Sequence, residues 1–152
     1  MTSLLSLMSS QPVRSLQPGE VLLVQGEGGG DLFMLKSGRF TVSRDGVTIA
    51  TISQQGTLVG EMSVLLGIRN SATVRADNEA EVRVIRDARK FLEQDPALSF
   101  RVAALVAGRL DATSGLLVEL SKQNSSQSER GLLGRILSVL HMPLAETSRD
   151  AS

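Results

Sequence analysis

Val59-Gly60-Glu61-Met62-Ser63-Val64-Leu65-Leu66-Gly67-Ile68-Arg69-Asn70-Ser71-Ala72-Thr73-Val74 decides how the rest of the chain is read. A strand ends in glycine, a carboxylate opens a short apolar helix, and a polar turn leads into another strand. Backbone N–H groups at a helix start attract an anion, and glycine lets backbone come close to it. A carboxylate at that place repels phosphate, so Glu61 fits only if it meets a hydroxyl donor instead. Anion and hydroxyl held side by side point to a nucleotide.

Working outward, the chain from Pro18 to about Ile85 reads as short strands between turn signals. Val21–Val24 is followed by the flexible run Gly26-Glu27-Gly28-Gly29-Gly30-Asp31, read as a turn because no Gly-Lys-Ser/Thr follows it. Leu32–Leu35 meets a turn at Lys36-Ser37-Gly38. Arg39–Arg44 alternates with period two, and Asp45-Gly46 is a hairpin signal that pairs it with Val47–Ile52. Thr73–Ala76 and Glu81–Ile85 complete the set. Many short strands with frequent turns predict an antiparallel sandwich or a jelly-roll barrel. Residues 1–17, broken by Pro12, read as an N-terminal arm.

The period changes after Asp87. Arg89–Glu93 predicts a short helix, and Asp95-Pro96 opens a long one. Aspartate caps the first N–H groups, and proline suits the first helical position. Leu98, Val102, Leu105, Ala112, Leu116 and Leu120 form one apolar line and Ala103, Val106, Leu110 and Leu117 a second. That width exceeds what docking on one barrel buries, so self-pairing through residues 96–122 into a parallel homodimer is expected. Gln123–Ser128 reads as a polar linker before an amphipathic helix at Gly131–Leu140, and Ala145–Ser152 as a disordered tail.

Composition narrows the function. The 152 residues are 41% hydrophobic but only 3% aromatic, so aliphatic side chains must fill the core. Sixteen basic and sixteen acidic residues cancel, which removes the electrostatic footprint of a nucleic-acid binder. There is no cysteine and one histidine, His141, in a segment outside the strands. Neither a Ser-His-Asp nor a Cys-His set can be assembled, nor the clustered imidazoles of a metal-dependent barrel enzyme. No secretion signal or membrane-length segment is apparent. The expectation is a soluble, cytoplasmic protein that is not an enzyme and has no metal site.

The strand order, the cradle segment and the long terminal helix together resemble a cyclic nucleotide-binding domain. This is the module of catabolite activators, cyclic-nucleotide-gated channels and protein kinase A regulatory subunits. The resemblance rests on Gly60-Glu61-Met62-Ser63 followed by Ser71-Ala72-Thr73-Val74, with Pro18-Gly19-Glu20 and Lys36-Ser37-Gly38 in support. It covers residues 18–122 and leaves 123–152 as an appendage. The fold it implies is mainly β with C-terminal α: an antiparallel jelly-roll barrel, a short phosphate-cradle helix and a long C-terminal helix. It implies a ligand, cyclic AMP or cyclic GMP, with Gly60, Met62 and Ser63 on the phosphate and Glu61 on the ribose 2′-hydroxyl. Thr113 and Ser114 match a Thr-Ser pair that contacts adenine in catabolite activators, which tilts the expectation toward cyclic AMP.

One departure stands out. Before the small pair Ser71-Ala72 the family carries Pro-Arg, and the arginine pairs with the phosphate. Here the two positions are Arg69-Asn70, with Asn70 in the arginine's place. Successive residues of an extended segment face opposite ways, so Arg69 substitutes only if the turn redirects it. Two readings follow: a regulatory module that binds a cyclic nucleotide and signals through its long helix to an effector protein in trans, or a degenerate fold kept for dimerisation and docking. Catabolite activators continue into a helix-turn-helix domain, whereas about thirty residues follow the long helix here, which argues against specific DNA binding.

Overall fold

In the computed structural model, residues 3–123 and 127–139 are described. The expected tail from Ala145, and His141, lie outside them. The elements are α1 (Leu4–Met8), β1 (Val13–Leu16), β2 (Val21–Leu23), β3 (Leu32–Ser37), β4 (Phe40–Arg44), β5 (Val47–Ile52), β6 (Leu58–Val59), α2 (Glu61–Leu66), β7 (Thr73–Ala76), β8 (Ala80–Ile85), α3 (Ala88–Gln94), α4 (Pro96–Gln123) and α5 (Gln127–Val139).

The strands form two four-stranded antiparallel sheets, ordered β1-β8-β3-β6 and β2-β7-β4-β5. Among the described residues they do not join into a closed barrel, and the two facing sheets with the long C-terminal helix fit the expected antiparallel jelly-roll class. Period-two alternation sends Leu16, Phe33, Leu35, Val59, Val82 and Val84 from one sheet and Leu22, Phe40, Val74 and Ala76 from the other into a shared core. Phe33 and Phe40 supply its aromatic part, and the rest is aliphatic as composition required.

The local signals take the predicted forms. Asp45 and Gly46 have φ of 51° and 76°, the left-handed pair that a two-residue hairpin needs. They join β4 to β5 with Arg44 opposite Val47. Asp95 accepts the Leu98 N–H at 3.0 Å and so caps α4, burying Leu98 and Val102 at its base. The stretch expected as an arm is structural: β1 pairs with β8, Val13 opposite Arg83, and buries Leu16.

The chain divides into two compact units, one ending at Val102 and the other starting at Ala103. The first holds both sheets and α1 to α3, and α2 packs on β3 and α3 there. The second holds the rest of α4 and α5. On that part of α4, Leu110, Leu116, Val118 and Leu120 are exposed.

Candidate functional site

The cradle begins where β6 runs into α2. Gly60 caps the helix in the left-handed region, φ 89° and ψ 0°, which an L side chain reaches only at a cost. A Cβ there would also lie 2.6 Å from the Asp31 carbonyl oxygen. Both facts demand glycine and explain why a strand can turn so sharply into a helix. The first-turn N–H groups of such a helix have no intrahelical acceptor. Glu61, half-buried, opens this turn, and its carboxylate is on the side the helix dipole favours.

Ser63 is buried, and its hydroxyl donates to the Gly60 carbonyl at 3.0 Å. Met62 is exposed, and its sulfur accepts from the Ser71 hydroxyl at 3.9 Å, which ties α2 to the turn before β7. Ala72 and Thr73 are half-buried. The Thr73 hydroxyl oxygen accepts the Gln25 N–H at 3.0 Å. The structure brings Gly60, Met62, Ser63, Asn70 and Ser71 close together.

Arg69 and Asn70 face different surroundings. Arg69 is exposed and its guanidinium donates to the Gly26 carbonyl at 3.1 Å. Asn70 is only 7% exposed. Its backbone pairs with the loop before β3: Gly26 N–H donates to Asn70 O, and Asn70 N–H to Glu27 O, each at 2.9 Å. Its side-chain amide donates to the Val24 carbonyl at 3.3 Å. Asn70 Oδ1 is the one buried side-chain polar atom among the described residues without a hydrogen-bond partner. Leaving such an acceptor unmet costs about 1–3 kcal/mol.

Gly29 was missed as a site residue. A Cβ on it would sit 2.7 Å from Asn70 Oδ1 and less from Ser63 Oγ, so its backbone lies directly against both side chains. The run Gly28-Gly29-Gly30, read as a turn, therefore forms a strap against the cradle. Its far end is fixed where the Ala88 N–H donates to Gly30 O at 2.8 Å and the Asp87 N–H to Asp31 Oδ1 at 3.0 Å. Three glycines where one makes a turn were the available signal.

Thr113 and Ser114 belong to the second unit. Each hydroxyl donates to its own helix at 2.8 Å, to the carbonyls of Arg109 and Leu110 respectively, the usual resting bond of such residues within a helix. Among the described residues no group of three or more His, Asp or Glu side chains could hold a metal ion, and no helix is long and apolar enough to cross a membrane.

No curated protein matches the chain. Among solved structures, cAMP-bound PfPKA-R is similar at 26% identity and a TM-score of 0.59, over 72% of this chain and 36% of that one. The N-terminal domain of a transcriptional regulator from Streptomyces coelicolor matches at 26% and 0.55, over 70% and 81%. The catabolite activator protein of Thermus thermophilus, at 22% identity, shares the fold with a TM-score of 0.61, over 88% and 78%. The family model of the cyclic nucleotide-binding domain matches residues 13–95, its start coinciding with β1. With the Gly60 turn, the cradle helix and the two sheets in place, the chain belongs to the cyclic nucleotide-binding domain family.

Proposed function

We propose that this chain is a non-catalytic regulatory module that binds a 3′,5′-cyclic purine nucleotide, cyclic AMP before cyclic GMP. Occupancy would pass through α4 to self-association and to an effector protein in trans. The observation that carries the reading is the Gly60 turn, whose conformation and contact with Asp31 admit no side chain and which delivers Glu61, Met62 and Ser63 as a unit. In this reading the amides of Met62 and Ser63 meet the phosphate, Glu61 takes the 2′-hydroxyl, and Ser71, Ala72 and Thr73 line the cradle. Arg69 supplies the cation by exchanging the Gly26 carbonyl, a neutral partner, for the stronger anionic one. The Thr113 and Ser114 hydroxyl oxygens would accept the adenine amino N–H while still donating to their helix carbonyls, which would couple α4 to occupancy. The domain limits proposed are 13–122 for the module, the expected start at 18 moving back to take in β1, and 123–152 for the appendage, in a cytoplasmic setting.

Titration calorimetry with cyclic AMP, cyclic GMP and 5′-AMP tests this. Saturable heat from a cyclic nucleotide and less from 5′-AMP is the expected result. Silence toward both cyclic nucleotides at millimolar concentration overturns it.

One observation favours the second reading, a fold kept for docking without a ligand. Gly29 lies against the very side chains the phosphate would approach, and Asn70 carries no charge. Replacing Arg69 by Pro and Asn70 by Arg restores the family pair. Binding created by that change in a chain that had none would establish the degenerate reading.

A further inference from the structure

We infer that the Asn70 position accepts a ligand hydroxyl, so that the cradle holds an uncharged purine ribonucleoside at least as well as the cyclic nucleotide. The inference rests on the cradle being the ligand site and deepens that reading by naming the ligand class. Two side chains face the same point, the place a Gly29 Cβ would fill. Ser63 has committed its only proton to the Gly60 carbonyl. Asn70 donates one amide N–H to the Val24 carbonyl, which turns the other atom, Oδ1, toward Gly29. What both present to that point is lone pairs.

An ionised phosphodiester offers only acceptors and would meet those lone pairs with its own. A ribose 3′- or 5′-hydroxyl offers the missing proton. Asn70 Oδ1 is buried and has no partner, and a buried acceptor is ordinarily satisfied. The Arg69 guanidinium rests on the Gly26 carbonyl, so pairing with a phosphate must first give up that bond, whereas a hydroxyl at Asn70 requires no such exchange. Access requires Gly29 to draw back, and three consecutive residues without side chains offer little steric resistance to that movement.

The test is calorimetric titration of the full chain with adenosine, cyclic AMP, 3′-deoxyadenosine and 5′-deoxyadenosine. Adenosine should bind within about threefold of cyclic AMP or tighter, and one of the two deoxynucleosides should bind about tenfold more weakly than adenosine. Asn70→Arg should shift the ratio by about thirtyfold toward cyclic AMP, since a charge-assisted bond replaces a repulsion. Cyclic AMP binding more than about threefold tighter than adenosine to the natural chain overturns the inference and leaves the cradle reading intact. Undiminished affinity for both deoxynucleosides also overturns it. A chain that binds none of the four takes down the inference and the cradle reading together. Should Asn70→Arg fail to fold by circular dichroism, the natural chain's own ratio and the deoxynucleoside series decide the matter.

Discussion

Gly60→Ala should cost the fold far more than a glycine substitution ordinarily does. Its φ of 89° lies where an L residue pays about 1–2 kcal/mol. The added methyl also meets the Asp31 carbonyl oxygen at 2.6 Å. That carbonyl has little room to retreat, because the Asp31 side chain is held by the Asp87 N–H at 3.0 Å and by Arg86 at 3.6 Å. Forcing a methyl into such a place adds about 1–3 kcal/mol. Stiffening of the unfolded chain returns about 0.4–1 kcal/mol. The net loss is about 1–4.5 kcal/mol, centred near 3 kcal/mol, which for a chain of this size lowers the melting temperature by roughly 2–18 °C. Gly46→Ala is the control: φ is 76°, yet nothing lies within 4 Å of its Cβ position, so only the backbone penalty of about 1 kcal/mol remains. The chain has neither Trp nor Tyr, so far-ultraviolet circular dichroism with urea and heat is the assay. A Gly60→Ala loss no larger than that of Gly46→Ala refutes the steric account of the turn.

Other outcomes follow from other contacts. Asp95→Ala removes the cap on the Leu98 N–H and should lower stability by about 0.5–2 kcal/mol in the same melts. Leu98→Ala empties a fully buried site at the base of α4 and should cost about 2–5 kcal/mol, whereas Leu116→Ala, at an exposed site, should change stability by less than about 0.5 kcal/mol. If α4 pairs with a second copy, Leu116→Ala with Leu120→Ala lowers the dimer fraction in sedimentation velocity; an unchanged sedimentation profile in a dimeric protein excludes that seam. Glu61→Ala should weaken cyclic AMP about tenfold to a hundredfold, the worth of a bond to a charged group, and leave 2′-deoxy cyclic AMP unaffected. Equal losses for the two ligands would place Glu61 away from the 2′-hydroxyl.

The parts of the fold that were legible are those set by neighbours in sequence. Asp45-Gly46 fixes a hairpin because both residues tolerate positive φ, and Asp95-Pro96 opens α4 because one caps and the other fits the first turn. β1 was not legible. Val13-Arg14-Ser15-Leu16 is too short for its alternation to stand out, and it becomes a strand only through pairing with β8, far along the chain. The choice between two sheets and a closed barrel likewise depends on pairings that no local stretch encodes. At the site, Gly60-Glu61-Met62-Ser63 announced itself because helix start and glycine lie together. Gly29 did not, because the approach of one backbone to two distant side chains leaves no periodic trace.

Asn70 separates the two functional readings on energetic grounds. As it stands, the residue gains one bond to the Val24 carbonyl and leaves Oδ1 unmet. The Val24 carbonyl has a second partner, the Glu27 N–H at 3.2 Å, so Asn70→Leu removes the orphan without creating another. It forfeits about 1 kcal/mol for the lost bond and recovers about 1–3 kcal/mol of desolvation cost. The unliganded protein should therefore be unchanged or up to about 2 kcal/mol more stable, while ligand affinity falls. A site whose stability improves as its binding is lost has kept a strained group for a ligand. A loss of more than about 1 kcal/mol in Asn70→Leu would instead make the amide a bracket for the strap. The orphaned oxygen would then be the residue of a packing solution, and the docking reading would be the stronger.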